Sequence, residues 1–170
     1  MGYVTLQNVN QFITPFQISK SAGTWAPTLA GHLVCDLRTA AASGYYLLIP
    51  ITLPGSINNN QCAKLKSVDV WYKVGTAAMA GMATVTVKKQ TLAADTVAVT
   101  GADYTDITLD ADHDTETKRK AVASHKMTVT FDNQPYIDKD EALVIVMSCE
   151  GAATSVFSLF GAQANFELRI

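Results

Sequence analysis

Apolar residues recur at every second position along much of this chain. Between Leu65 and Val74, the side chains of Val68, Val70, Tyr72 and Val74 alternate with those of Ser67, Asp69, Trp71 and Lys73. Ala83, Val85 and Val87 alternate with Thr84, Thr86 and Lys88, and the stretches Met127–Phe131 and Phe166–Ile170 repeat the pattern. A period of two sends successive side chains to opposite faces of a pleated strand, so each segment predicts a strand with one covered face. Tyr45–Thr52, Ala142–Met147 and Ser155–Phe160 are apolar almost throughout and predict more deeply buried strands. With Gly31–Leu37, Thr96–Thr100 and Asp106–Leu109 the set comes to roughly nine, at the spacing usual in sandwiches and barrels.

Turn chemistry separates these strands at Pro54–Asn60, Gly75, Gly81, Gly101, Asp132 with Asn133, Gly151 and Gly161. Helical signal is thin. Gly75–Gly81 is short and bracketed by glycines, which reads as a loop, and Asp112–Ser124 has room for a turn or two of helix. No repeat of fixed period occurs. The pattern predicts an all-β protein in which two antiparallel sheets pack face to face.

Residues 1–30 differ in texture from the sandwich domain expected over 31–170. Gln7, Asn8, Asn10, Gln11 and Gln17 mix with Val9, Phe12, Ile13, Phe16 and Ile18, and Pro15 and Pro27 interrupt. Proline cannot donate to a central ladder, so this stretch is an edge strand or an extended N-terminal arm. Phe12, Phe16 and Trp25 then need a surface to pack on, either their own sandwich or another molecule.

Composition sharpens the picture. At 170 residues the chain is long enough for one domain with a substantial core. Charged residues are only 16%, against roughly 25% in typical soluble domains. Either other subunits cover part of the surface, or Thr, Ser, Asn and Gln supply its polarity. A net charge of -2 gives no general affinity for nucleic acid. Cys35, Cys62 and Cys149 are odd in number and form no close pair, so neither a zinc site nor a disulfide framework is indicated. The first residues carry no secretory signal, and the apolar runs are too short to span a membrane. No cofactor is expected.

Candidate chemistry is sparse. Asp110, Asp112 and Asp114 match the first ligand positions of an EF-hand loop, but Thr115 stands at the turn glycine and no glutamate closes the loop. The segment reads better as a solvated acidic turn balanced by Lys118, Arg119 and Lys120. Asp138–Glu141 reads as a charged gatekeeper before an apolar strand. His32, His113 and His125 are not at metal-ligand spacing and are assigned to strand edges or loops. Ser124 and His125 are neighbours, which on a strand point apart, so they do not make a nucleophile and its base. No phosphate loop, nucleophile elbow or zinc-protease motif is present, and no enzymatic activity is expected. Trp25, Tyr45, Tyr46, Trp71 and Tyr72 are a core or interface set, or alternatively a stacking surface for sugars centred on Trp71.

The stretches Lys126–Phe131, Tyr136–Met147, Ala153–Gly161 and Phe166–Ile170 resemble small β-rich virion proteins of tailed bacteriophages, namely jelly-roll capsid decoration (cement) proteins and related accessory proteins. The resemblance implies a jelly-roll sandwich that self-associates, often as a trimer, and binds the major capsid protein on the capsid surface after assembly in the host cytoplasm. It implies neither catalysis nor nucleic-acid or membrane binding. Phe12, Phe16, Trp25 and Trp71 are the expected interface residues. Two alternatives stand beside this reading: a carbohydrate-binding or receptor-binding sandwich, and a tail or baseplate subunit.

Overall fold

The computed structural model describes residues 6–30, 33–51, 63–92, 99–137 and 141–169. In them, twelve strands form two sheets. The strands are β1 (Leu6–Ile13), β2 (Ser19–Lys20), β3 (Trp25–Ala30), β4 (Leu33–Arg38), β5 (Gly44–Ile51) and β6 (Ala63–Gly75). They continue with β7 (Gly81–Leu92), β8 (Val99–Tyr104), β9 (Ile107–Leu109), β10 (Ala123–Phe131), β11 (Glu141–Glu150) and β12 (Val156–Arg169). One four-residue helix, α1 (Glu116–Arg119), lies between β9 and β10.

The larger sheet runs β3-β4-β12-β6-β10-β9, with β1 also paired to β12, and the smaller runs β2-β5-β11-β7-β8. The four-strand centres are therefore β4-β12-β6-β10 and β5-β11-β7-β8. From β4 to β7 the chain changes sheet at each step, and β11 and β12 return to the middle of opposite sheets. This is the wiring of two Greek keys folded into a jelly roll. All the pairings are antiparallel.

The alternation in the sequence becomes the core. Val68, Val70, Tyr72 and Val74 of β6 are fully buried, facing Leu47, Ile49, Ile145 and Met147 of the other sheet. Burying a side chain of this size contributes roughly 1.5–3 kcal/mol. The nearly continuous apolar runs of β5 and β11 also alternate in burial, with Leu47, Ile49 and Ile51 inward and Leu48 and Pro50 partly covered.

Two expectations from the sequence need correction. Gly161 does not end a strand: Val156–Phe160 and Phe166–Arg169 belong to one strand, β12, which carries an irregularity between Leu159 and Gly161. Gly161 adopts φ +128°, and a Cβ there would lie 2.6 Å from the carbonyl oxygen of Ile13. The glycine thus absorbs an extra residue as a bulge and lets another strand approach. Gly101 likewise lies inside β8.

Residues 6–30 lie along the sandwich as three edge strands. β4 pairs with Phe157–Leu159 of β12, and beyond the bulge β1 takes over the same edge opposite Ala162–Arg169. β2 pairs with β5 in the other sheet, and β3 pairs with β4. The expected Pro54–Asn60 turn, Cys62, His32 and Asp138–Asp140 lie outside the described residues.

Candidate functional site

Seven large apolar side chains are exposed among the described residues, and four of them, Phe12, Phe16, Leu29 and Val34, come from the first part of the chain. Phe12, Phe16 and Val34 line one groove with Thr14, Pro15, Trp71 and Phe160. Leu29 lies directly across the β3–β4 hairpin from Val34 and is 71% exposed. These residues form one apolar flank, which is the kind of surface that marks an interaction site.

Local structure explains the flank. Gly161 lacks a side chain at the point where the Phe12 ring passes, its ideal Cβ position lying 3.0 Å from Phe12 Cζ. After β1 the chain turns tightly. The Gln17 N–H donates to the Thr14 carbonyl at 3.0 Å, and the Thr14 N–H donates to Gln17 Oε1 at 2.8 Å. Lys20 Nζ donates to the Pro15 carbonyl at 2.6 Å. The turn buries Pro15 and leaves Phe16 outside.

A polar network adjoins the groove at Trp71. Lys126 Nζ lies 5.7 Å from the centroid of the Trp71 ring and 3.3 Å from Asp69 Oδ2. Asp69 also accepts from Thr128 Oγ1 at 2.6 Å and Asn165 Nδ2 at 3.3 Å. The groove thus has apolar walls and one charged, hydrogen-bonded shoulder.

Phe12, Phe16 and Trp71 are brought together; Trp25 stands apart. Its ring meets Tyr45 and Phe157 edge-on at 5.6 and 6.2 Å, and Nε1 donates to the Ala22 carbonyl at 3.0 Å. It closes the seam between the sheets alongside a buried cation, Arg38. The Arg38 guanidinium lies 4.3 Å from the Tyr45 ring centroid and donates to the carbonyls of Ala41 and Ser43 and to Ser43 Oγ. Lys20 and Asp36 pair beside it at 2.6 Å. Burial raises the Tyr45 hydroxyl well above its ordinary pKa and pushes the neighbouring Cys149 thiol up to about 12.

Of the other aromatics in the proposed sugar platform, Tyr45 and Tyr72 are core residues, and Tyr46 is exposed on the other sheet. Trp71 therefore has phenylalanines around it rather than tyrosines.

The acidic turn does not gather its carboxylates. Asp110 Oδ1 accepts from the Asp112 N–H at 3.0 Å and faces His113 Nδ1 at 2.7 Å, while Oδ2 accepts from the Thr128 N–H at 2.6 Å. Burial works to raise the Asp110 pKa, but the bonds from Thr128 and His113 outweigh it and hold the carboxyl below its usual range. Asp114 pairs with Lys118 at 2.8 Å. Among the described residues no three His, Cys, Asp or Glu side chains converge on a metal position.

Two features escaped the sequence. His113 and His125, each expected on a strand edge or loop, lie with Nε2 and Nδ1 3.1 Å apart. Arg119, taken as part of a solvated basic triplet, is buried and donates to the carbonyls of Met82, Ala83 and His113. Neither has a periodic signal, because a single buried polar residue on a turn looks like any other turn residue in sequence. The one clue was a basic residue within a short helical segment that the fold places over β7.

No protein-family profile and no curated protein matches the chain. Among solved structures, a carbohydrate-binding module in complex with β-1,4-galactotriose aligns over 97% of this chain and 88% of its own, at 8% identity and a TM-score of 0.37. An unassembled VP1 pentamer of Washington University polyomavirus aligns over 98% of this chain and 95% of its own, at 9% identity and a TM-score of 0.19. Likenesses this distant carry no argument about what this chain binds or builds.

Proposed function

We propose that this chain is a non-enzymatic structural protein of a virion, a capsid decoration protein that self-associates, and that its apolar flank is the surface by which copies meet. The flank itself carries the reading. Phe12 and Phe16 are each more than half exposed, and Leu29 and Val34 extend the same surface. A content of only 16% charged residues suits a chain part of whose surface other subunits cover. The jelly-roll wiring suits the role, because it presents rigid strand edges and sheet faces to neighbours. The texture of the last forty-odd residues supports the same assignment. In this reading each subunit buries its flank against a symmetry mate, and the assembled ring bridges subunits of the major capsid protein.

The experiment is reconstitution on shells of the virion that encodes the chain, stripped of it. Added protein should sediment with the shells and raise their melting temperature, and the Phe12→Ser/Phe16→Ser double variant should do neither. Failure of the parent protein to sediment with them would contradict the role.

A second reading rests on Trp71, whose half-buried ring stands beside Lys126, Asp69 and Asn165 in a groove with apolar walls. A ring flanked by hydrogen-bonding groups is also how proteins stack on the apolar face of a sugar. Binding on a glycan array that is lost in Trp71→Ala would favour it. An empty array would remove it.

A further inference from the structure

Where the start of β10 pairs with the end of β6, two histidines join in a chain of polar contacts. His113 is buried in the turn before α1. His125, on β10, stacks on Tyr72 with ring centroids 4.6 Å apart and planes 15° from parallel. His113 Nδ1 lies 2.7 Å from Asp110 Oδ1, His113 Nε2 lies 3.1 Å from His125 Nδ1, and His125 Nε2 lies 2.9 Å from the Ala121 carbonyl oxygen.

The hydrogens in this chain can be counted. A carbonyl only accepts, so His125 Nε2 carries one. The Asp110 carboxylate already accepts from two backbone N–H groups, so His113 Nδ1 carries another. With both rings neutral those two hydrogens are all there are, and two lone pairs face each other across 3.1 Å. A third hydrogen completes every contact and puts one positive charge on the pair, next to the Asp110 carboxylate.

We propose that His113 and His125 share a single extra proton and act as a pH-sensitive clasp, fastening the 110–125 segment onto the sandwich. Asp110 supplies the negative charge that holds the proton. The surrounding charges are engaged elsewhere. Arg119 is spent on the carbonyls of Met82, Ala83 and His113. Glu116 accepts from the Met82 N–H and lies 3.9 Å from Lys120, Asp114 pairs with Lys118, and Asp112 is exposed. Tyr72, whose pKa burial raises, donates its hydroxyl hydrogen to the Arg119 carbonyl, and Cys149 near it is a neutral thiol.

The clasp has two pH limits. As pH rises and the shared proton leaves, the folded state loses a proton that holds it together, so stability falls. As pH falls below about 6.5, the unfolded chain protonates both rings. The folded state resists this, because burial lowers the His125 pKa and the neighbouring His113 lowers it further, against the Ala121 carbonyl, which raises it. Stability falls in that direction too.

The test follows the ring nitrogens of the intact protein by 15N NMR from about pH 5 to 9, alongside melting curves of the parent and His125→Gln. A glutamine amide can meet His113 without an extra proton. The expected result at about pH 7 is three ring N–H groups on the pair. Between about pH 7 and 9 the parent should lose about 3 °C more than His125→Gln, a shift of the size one interaction gives in a chain this long. Two neutral rings at pH 7, or melting profiles of identical pH dependence, would overturn the proposal. Should His125→Gln not fold, the ring spectra of the unaltered protein decide alone.

Discussion

Single residues hold this fold at points of close approach. At Gly161 a side chain would press on the Ile13 carbonyl and the Phe12 ring, in a backbone region that alanine rarely adopts. Gly161→Ala should therefore lower unfolding free energy by about 1–3 kcal/mol, read from urea denaturation. Gly151 leaves room in the same way, without a strained backbone, for the Arg38 guanidinium and the Ala41 carbonyl, which lie where its Cβ would be. Arg38→Met removes three hydrogen bonds but leaves the Ala41 and Ser43 carbonyls paired with the Ser43 and Gly151 N–H groups, so it should cost about 1–3 kcal/mol in all. Asp110 gives a signed pH prediction. Its carboxyl is held below the ordinary range, so its contribution is complete above about pH 4 and is lost as pH falls further. Asp110→Asn should flatten the acid limb of a melting-temperature profile. Cys35 and Cys149 are buried and their thiol pKa values are raised. Peptide mapping after treatment with iodoacetamide at about pH 8 should find both unmodified until the protein unfolds.

At the scale of elements, period-two segments transfer from sequence to structure almost directly. The alternation in β6 and β10 names the buried face residue by residue, because pleating alone decides it. The limits of sequence reading lie where an element depends on a distant one. Gly161 reads as a turn in isolation and becomes a bulge only because β1 must lie beside it. Residues 6–30 read equally well as an arm or an edge, since proline and mixed polarity exclude a central strand without supplying a partner. The candidate flank was legible in part: Phe12, Phe16 and Trp71 are conspicuous in sequence, but Val34 and Phe160 join them only through the pairing of β4, β12 and β6. The histidine pair was not legible, because its members stand twelve positions apart, across turn, helix and the start of β10. Since β1 and β2 belong to the sheets, the flank is better probed by point replacements than by removing residues 1–25, which would also take the buried Ile13 and Ile18 out of the core.

The whole molecule is a jelly roll with unequal surfaces. Its ends and its seam are closed by buried polar groups, with Arg38 on one side and Arg119 on another. One flank remains apolar and open. Burying two phenylalanines from water contributes several kcal/mol at roughly 25 cal/mol per Å², enough to matter for an oligomer but dependent on geometry for its strength. The account therefore stands or falls on association. Native mass spectrometry at low micromolar concentration should show a closed oligomer, a trimer by the proposed role, and the Phe12→Ser/Phe16→Ser variant should be a monomer with an unchanged circular dichroism spectrum. A parent protein that is monomeric across that range, with a variant indistinguishable from it, would contradict the account.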